Sequence, residues 1–324
     1  MAASNFYQQI SANRRNSFLL ALVMVGLLAA LGFSVGYAFT GELAGGAGAT
    51  ILAVSVGLIA ALASYFGGDQ LVLRVSGATE VTEASAPQLV NVVRELTIAA
   101  DIPMPKVYLI DDTAPNAFAT GRDPKHASIA ITTGLLQKLD REELQGVIGH
   151  ELSHVRNYDI RFSLLVGVMV GSVALLADFF LRSLFWGAGR RSGRSRDGGG
   201  AQGIAMLIAL VLAVLAPIAA QMIRLAVSRQ REYLADASSV ELTRNPHGLE
   251  RALAKIATDH EALEAANRAT SHLYFANPVK RWEDRSKDFT STHPPIVDRI
   301  NRLRELTGES PLDAVEVQEL AGLD

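Results

Sequence analysis

The sequence predicts a mainly α-helical protein, in which four membrane-spanning helices form a bundle and the polar segments form a domain with a small β-sheet. Composition is the first observation behind this fold class: 49% of the 324 residues are hydrophobic and only 19% are charged. Mean hydropathy is positive, and such a balance is typical of membrane proteins. The second observation is that the apolar residues are concentrated in four long runs.

The four apolar runs reach the roughly 20 residues that a helix needs to cross a bilayer, and they cover residues 18–39, 43–66, 162–181 and 203–223. The first two contain no charged residue, so they lack the polar face of a helix that meets water. The first run is also too long for a typical signal peptide. Buried core helices are the alternative interpretation, and it applies more to the last two runs, which contain Asp178 and Pro217.

Two of the runs contain glycines four residues apart, Gly32 with Gly36 and Gly167 with Gly171. Small residues at this spacing lie on one face of a helix and allow a second helix to approach closely. Because glycine is frequent in membrane helices anyway, the two pairs are a weak indication of close helix contacts.

Basic residues predict that the N-terminal segment, residues 1–17, lies in the cytoplasm, because Arg14 and Arg15 flank the first run. Four crossings then place the polar segments 67–161 and 224–324 in the cytoplasm as well. The loop between the third and fourth runs is an argument against this topology. It would lie on the outer side of the membrane, although arginine-rich loops normally lie in the cytoplasm. Its arginines are Arg182, Arg190, Arg191, Arg194 and Arg196. Its Gly/Ser/Arg-rich composition predicts a flexible segment.

The two polar segments are predicted to form one split domain, with strands and helices assigned from hydrophobic periodicity. The strands are expected at 106–110 and 127–132, and the helices at 87–100, 224–242 and 248–266. Asp140 has the position of a helix N-cap, with Glu143 three residues later, a pair that predicts a capping box. The helix that begins there carries the sequence's main motif.

That motif is His-Glu-Leu-Ser-His, from His150 to His154. Residues four apart lie on one face of a helix, so both imidazoles can bind one metal ion. Glu151 lies about 100° around the same helix and can reach a water molecule beside that ion without being a ligand. A surface helix that happens to carry two histidines is the alternative, but Leu144, Val147, Ile148 and Leu152 give this helix an apolar face for packing.

A catalytic zinc ion usually takes three protein ligands, and without cysteine the third must be His, Asp or Glu. His154 precedes the third run by eight residues and Glu232 follows the fourth by nine. Helices that continued out of the bilayer would carry both residues to about 12–14 Å above it. Glu232 is therefore the predicted third ligand, and Asp236, near the height of His150, a candidate to orient an imidazole. The alternative is that Glu232 is a solvated residue paired with Arg229.

Several separated motifs resemble the HtpX family of bacterial membrane zinc proteases, which is related to the CAAX prenyl proteases. The two main motifs lie at 150–159 and 228–236, and the others at 116–121, 245–249 and 292–295 with Arg299. The resemblance covers nearly the whole chain except the loop around 187–200.

The resemblance implies a zincin-like cytoplasmic catalytic domain that binds one zinc ion through His150, His154 and Glu232, with Glu151 as the general base. It also implies a multi-pass protein of the bacterial inner membrane. Its expected substrates are misfolded or damaged membrane proteins and unfolded proteins, cleaved in proteolytic quality control and the stress response. Self-cleavage is a further expectation.

Residues that match Asn116, His293 and Arg299 line the substrate cleft in the related proteases. The resemblance therefore implies that Asn116 binds substrate and that His293 or Arg299 stabilises the oxyanion. An extended substrate is expected to pair with an edge strand formed by Ala117, Phe118, Ala119 and Thr120. Taken alone, Asn116 reads equally as a turn residue, His293 as a loop residue and Arg299 as a surface charge.

Three other functions are alternatives to a quality-control protease. A CAAX-type prenyl-protein protease is the nearest alternative within the same chemistry. A non-catalytic membrane chaperone with a structural zinc would need a fourth protein ligand, for which His247, His272 and His293 are candidates. A transporter would need charged groups at mid-membrane, and the runs contain almost none. The net charge of −3 provides no basis for nucleic-acid binding.

Overall fold

The structure, a computed structural model, describes residues 6–188, 200–259, 261, 275 and 294–320. The chain divides into two compact units, and each unit is assembled from two separate stretches of sequence. The first unit contains Met1–Ser64 and Leu164–Arg224, and the second contains Tyr65–Ser163 and Leu225–Asp324. The predicted Arg/Gly-rich loop falls largely outside the described residues.

The described helices are, in chain order, α1 Phe6–Thr40, α2 Leu43–Val75, α3 Pro87–Ala100, α4 Thr133–Lys138, α5 Arg141–Arg156, α6 Asp159–Ala188, α7 Gly200–Thr243, α8 Pro246–Thr258, α9 Ile296–Thr307 and α10 Ala314–Leu320. The strands are β1 Thr79–Glu80, β2 Lys106–Ile110, β3 Ala117–Gly121 and β4 Ala127–Thr132. A mainly α-helical fold with a small sheet is therefore confirmed.

Four helices are long and apolar enough to cross a membrane, and their candidate spans are Phe18–Thr40, Leu43–Val75, Asp159–Leu184 and Gln202–Thr243. Each contains one of the predicted runs, although α2 and α7 continue as helix well beyond the predicted run. Large apolar side chains on these helices are exposed, for example Leu175, which is 72% exposed, and Ile59, which is 66% exposed. Such surfaces fit lipid rather than water.

The first unit has its own apolar core, to which α1, α6 and α7 contribute residues such as Leu31, Phe180 and Ala213. The α1 and α2 helices approach closely at Gly32, where an added Cβ would lie 3.1 Å from the Cβ of Ala53. The glycine pair predicted from the first run is thus at a helix contact. Gly171 of the third run is different, because no described atom lies within 4 Å of its missing Cβ.

The second unit contains a four-stranded mixed sheet with strand order β1-β2-β4-β3. The central pair β2 and β4 is parallel, with Tyr108 opposite Ala130. The β3 strand is antiparallel to β4 and forms one edge of the sheet. The two strands predicted from hydrophobic periodicity, β2 and β4, are present. The β3 strand was expected only as the edge strand that would pair with an extended substrate.

The α5 helix lies at the centre of the second unit and packs against α3, α8 and β3. Gly146 allows the contact with α8, since an added Cβ would lie 2.7 Å from the backbone of Leu249. Leu144, Val147, Ile148 and Leu152 of α5 are fully buried in the core of this unit. The predicted apolar face of the motif helix is therefore confirmed.

Two helix boundaries differ from the prediction. The α8 helix ends at Thr258 rather than at residue 266, because Asp259 has an extended backbone. The motif helix also does not continue unbroken into the third run, which was the condition for the estimated height of His154. The α5 helix ends at Arg156, Tyr158 has a φ of +62°, and α6 begins at Asp159. A left-handed residue at this position breaks the helix.

Candidate metal centre

The metal-binding motif lies on α5, whose N-terminus is a complete capping box. The Asp140 side chain accepts a hydrogen bond from the backbone N–H of Glu143, and the Glu143 side chain accepts one from that of Asp140. Glu143 is 1% exposed and forms an ion pair of 2.8 Å with Lys255 of α8. These contacts fix the start of the helix, and His150 and His154 follow on one of its faces.

The two imidazoles meet the carboxylate of Glu232, which lies on α7. The Nε2 atoms of His150 and His154 are 3.1 Å apart. Glu232 places its Oε2 atom 3.5 Å from His150 Nε2 and its Oε1 atom 3.4 Å from His154 Nε2. These three residues form a group whose geometry allows a metal ion to be held.

The size of this triangle matches one small metal ion. Ligand atoms about 2.0–2.1 Å from a tetrahedral zinc ion lie about 3.3 Å from one another. The two Nε2 atoms are 3.1 Å apart, and each lies 3.4–3.5 Å from a different oxygen of the Glu232 carboxylate, which is close to that spacing. Two imidazole nitrogens and a carboxylate with a fourth position open to water are also the donor set of a known class of catalytic zinc site.

A carboxylate and an arginine stand behind His150. Asp236 Oδ1 lies 2.8 Å from His150 Nδ1. Arg299 donates to the same carboxylate through Nε at 2.9 Å and through Nη2 at 2.6 Å. All three residues are buried. Asp236 thus has the contact expected of a residue that orients an imidazole.

His154 has a carboxylate and an arginine behind it as well. Asp159 Oδ2 lies 3.2 Å from His154 Nδ1, and Asp159 Oδ1 lies 3.4 Å from Arg231 Nε. The Arg231 guanidinium stacks on Phe162, with 3.3 Å between its carbon and the ring centroid. Arg231 directly precedes Glu232 in the sequence, so this arginine and the third ligand enter the site from the same turn of α7.

These charges act on the pKa of His154. Burial lowers that pKa, but hydrogen bonds and charge interactions with Asp159 and Glu232 outweigh burial and raise the pKa well above its ordinary value. The pKa of Arg299 is raised in the same way. Burial lowers this pKa, but the neighbouring carboxylates of Asp236, Glu232 and Glu151 raise it by more. The centre therefore favours positive charge, which is the electrostatic requirement of a cation site.

Comparison with known proteins identifies the family that carries this centre. The profile described as Peptidase family M48 matches residues 83–307. A "Protease HtpX homolog" from Streptococcus uberis is 45% identical over 300 residues, which cover 93% of this chain and 99% of the relative. One from Ligilactobacillus salivarius is 44% identical over 301 residues with the same coverage. The chain belongs to the HtpX proteases of peptidase family M48.

Family membership makes this HtpX-type chain a membrane metalloprotease, in agreement with its four apolar helices. Among solved structures, Ste24p from S. mikatae aligns with a TM-score of 0.49 and 19% identity, over 92% of this chain and 67% of that chain.

The remaining predicted residues of the HtpX-type site have different surroundings. Glu151 is 2% exposed. Asn116 is buried at the start of β3, where its Oδ1 accepts a hydrogen bond from the backbone of Ala117. The predicted substrate-binding residues Ala117, Phe118, Ala119 and Thr120 are all buried in β3. His293 lies outside the described residues.

Phe275 is a site residue that no sequence pattern indicated. It is 1% exposed, and its backbone N–H donates to the carbonyl of Ala117 at 2.7 Å. Its ring lies edge-on to His150, with 4.9 Å between ring centroids, and 4.7 Å from the Arg299 guanidinium carbon. Phe275 therefore connects the first residue of the edge strand with the metal group.

Asp159 and Arg231 were also missed as site residues, although one signal was present for each. A charged residue close to an apolar run, as Asp159 is three positions before the third run, is normally paired when it is buried. Arg231 lies next to a predicted ligand. The sequence did not show that the side chains of Asp159 and Arg231 contact each other.

His247, a candidate fourth ligand for a structural zinc, lies elsewhere in the HtpX-type chain. Its Nδ1 atom is 3.1 Å from Glu250 and its Nε2 atom 3.4 Å from Glu309. Arg304 also pairs with both of these carboxylates, at 2.7 and 3.0 Å. The other candidates, His272 and His293, lie outside the described residues.

Proposed function

We propose that this protein is a zinc-dependent endopeptidase that cleaves misfolded or damaged membrane proteins. The observation that carries this proposal is the convergence of His150, His154 and Glu232, in which the two histidine Nε2 atoms are 3.1 Å apart and each lies 3.4–3.5 Å from one oxygen of the Glu232 carboxylate. One zinc ion fits this triangle in size and donor type. When bound there, it would supply Lewis-acid polarisation of the peptide carbonyl and lower the pKa of a water molecule.

The protein's own residues have separate tasks in this proposal. Glu151 follows a ligand on α5 and is the general base, which removes a proton from the attacking water and passes it to the leaving amine. Asp236 accepts a hydrogen bond from His150 and holds that imidazole in orientation. Arg299 donates two hydrogen bonds to Asp236. Its Nη1 atom lies 3.8 Å from Glu232, and Arg299 is therefore proposed to stabilise the oxyanion. His293 is the second candidate for that role.

Substrate binding is proposed at the edge of the sheet. The β3 strand is an edge strand and packs on α5, so a peptide paired along residues 117–120 would lie beside the metal group. Asn116, at the start of β3, is the proposed contact at one end of that peptide.

The proposed location is the bacterial inner membrane, with the second unit in the cytoplasm. The basic flank at Arg14 and Arg15 supports this orientation. Misfolded membrane proteins and unfolded proteins are then the accessible substrates, and self-cleavage is proposed as well. This activity would serve proteolytic quality control and the stress response.

Substitution of Glu151 by Gln tests the proposed mechanism. The amide keeps the shape of the side chain but cannot accept a proton, so cleavage of an unfolded protein should fall by about 100-fold or more. Zinc content, measured on the detergent-solubilised protein, should remain at one ion per chain. Persisting proteolysis would remove Glu151 from the mechanism.

Two controls separate this function from its alternatives. Removal of metal with a chelator should abolish cleavage, and added zinc should restore it, whereas a chaperone with a structural zinc would show no cleavage at all. A prenylated peptide assayed beside a misfolded membrane protein distinguishes a CAAX-type protease. Preferential cleavage of the prenylated peptide would overturn the proposed substrate class.

A further inference from the structure

Each imidazole of the metal group is backed by the same sequence of groups, a carboxylate and then a buried arginine. Behind His150 stand Asp236, at 2.8 Å, and Arg299, which binds that carboxylate at 2.6 and 2.9 Å. Behind His154 stand Asp159, at 3.2 Å, and Arg231, at 3.4 Å. The carboxylates lie on α7 and α6, and the arginines lie on α9 and α7, so the two chains of contacts combine different pairs of helices.

The second chain of contacts is buried. Asp159 is 3% exposed and Arg231 is 4% exposed. Placing two charges in such a site is costly unless both are paired and hydrogen-bonded. The stack of Arg231 on Phe162 adds a cation–π contact. The guanidinium is therefore kept in one place, and with it the carboxylate that faces His154.

A carboxylate in this position determines how an imidazole can bind a metal ion. By accepting the hydrogen of Nδ1, it leaves the lone pair of Nε2 directed away from it, toward the metal. The Nε2 atom of His154 is the one that lies 3.4 Å from Glu232. Orientation of His154 thus depends on Asp159, and orientation of Asp159 depends on Arg231.

We propose that Arg231 and Asp159 are positioning residues for His154, so that zinc affinity depends on a contact chain that mirrors Arg299–Asp236–His150. This proposal rests on the proposed function, in which His154 is a zinc ligand. The competing explanation is a purely structural one, in which the ion pair only ties α6 to α7.

Zinc affinity distinguishes these explanations. The variants Asp159→Ala and Arg231→Met, purified as full chains in detergent, are titrated with zinc against a chromophoric chelator. Each should bind zinc about 10- to 100-fold more weakly than the unmodified chain. The double variant should lose little more than either single variant, because both substitutions break the same chain of contacts.

Arg302 provides the matched control. It stacks on Tyr233, which lies on α7 as Arg231 does, with 4.5 Å between its guanidinium carbon and the ring centroid, and within the described residues it does not contact a histidine of the metal group. Arg302→Met should therefore leave zinc affinity and proteolysis unchanged. Asp159→Asn and Arg231→Lys, which preserve size or charge, serve if the first variants do not fold, and each should give a smaller loss of zinc affinity.

Kinetics at saturating zinc provide a second readout. Loss of orientation should lower kcat with KM unchanged, because the substrate contacts are elsewhere. Variants that are less stable but bind zinc as tightly as the unmodified chain would overturn the proposal and support the structural tie. Failure of the unmodified chain to bind zinc is a different result, since it would overturn the proposed function itself.

Discussion

At the scale of single residues, the two ligand imidazoles differ in their access to solvent. The side chain of His150 is 1% exposed, whereas that of His154 is 15% exposed. His154 also has carboxylates on both sides, Asp159 and Glu232, and these raise its pKa. A proton therefore competes with a metal ion at His154 over a wider pH range than at an ordinary histidine.

Zinc affinity should accordingly depend on pH. A raised pKa means that the imidazole stays protonated up to a higher pH, and a metal ion must displace that proton. Apparent zinc affinity should be constant above the raised pKa and fall by about tenfold per pH unit below it. Chelator competition across a pH series measures this, and a flat profile through the neutral range would contradict it.

The predicted ligands His150, His154 and Glu232 are brought together, and Glu232 was indicated both by its spacing from the fourth run and by the family resemblance. The heights inferred from helix rise held only for helices that continue out of the bilayer, and the chain instead breaks between α5 and α6 at Tyr158. Glu232 nevertheless reaches the imidazoles because α7 is continuous from Gly200 to Thr243. Phe275 was not predictable, since its contact with Ala117 joins residues far apart in sequence.

At the scale of elements, the sequence predicted where α5 begins but not which helix packs against it. The capping box of Asp140 and Glu143 depends on residues three apart, so sequence alone predicts it. The packing of α8 against α5 depends on the tertiary fold, so sequence alone does not predict it. Gly32 and Gly171 make the same point, because equal glycine spacing gives a close helix contact at the first and open space at the second.

Gly146 sets the distance between α5 and α8, which makes it a site for a test at this scale. The Cβ of Gly146→Ala would lie 2.7 Å from the backbone of Leu249. Backbone cannot yield as a flexible side chain can, so we expect a loss of about 1–3 kcal/mol of unfolding free energy and a lower Tm. Proteolysis should fall with it, since α5 carries two of the proposed ligands.

The control for this substitution is Gly171→Ala, where the added methyl group meets open space. Alanine favours helix over glycine by about 0.5–1 kcal/mol, so this variant should be as stable as the unmodified chain or slightly more so. Equal effects of the two substitutions on the Tm would show that close approach at Gly146 is not what matters.

At the scale of the whole molecule, each of the two compact units has its own composition. One unit contains the four hydrophobic stretches, and the other contains most of the polar sequence. This difference has a physical reason, because burial in lipid and burial in a water-exposed domain select different compositions. The direction in which the chain crosses the membrane depends on flanking charge instead, and here the arginine-rich loop and the N-terminal basic flank disagree.

Cysteine labelling resolves that disagreement, because the natural chain contains no cysteine. Glu42→Cys lies in the exposed turn between α1 and α2, and Glu305→Cys lies on an exposed position of α9. With a cytoplasmic catalytic unit, a membrane-impermeant maleimide added to intact spheroplasts should label the first variant and not the second. Lysis should make both reactive. The reverse pattern would invert the proposed orientation.

The distribution of the metal ligands along the chain has a consequence for synthesis. The histidine pair emerges from the ribosome before α6 and α7, whereas Glu232, Asp236 and Arg299 emerge after most of these two helices. A nascent chain that ends before Glu232 has two imidazoles but no third ligand. Under the proposed function, the chain therefore cannot cleave a peptide bond until α6 and most of α7 have been translated.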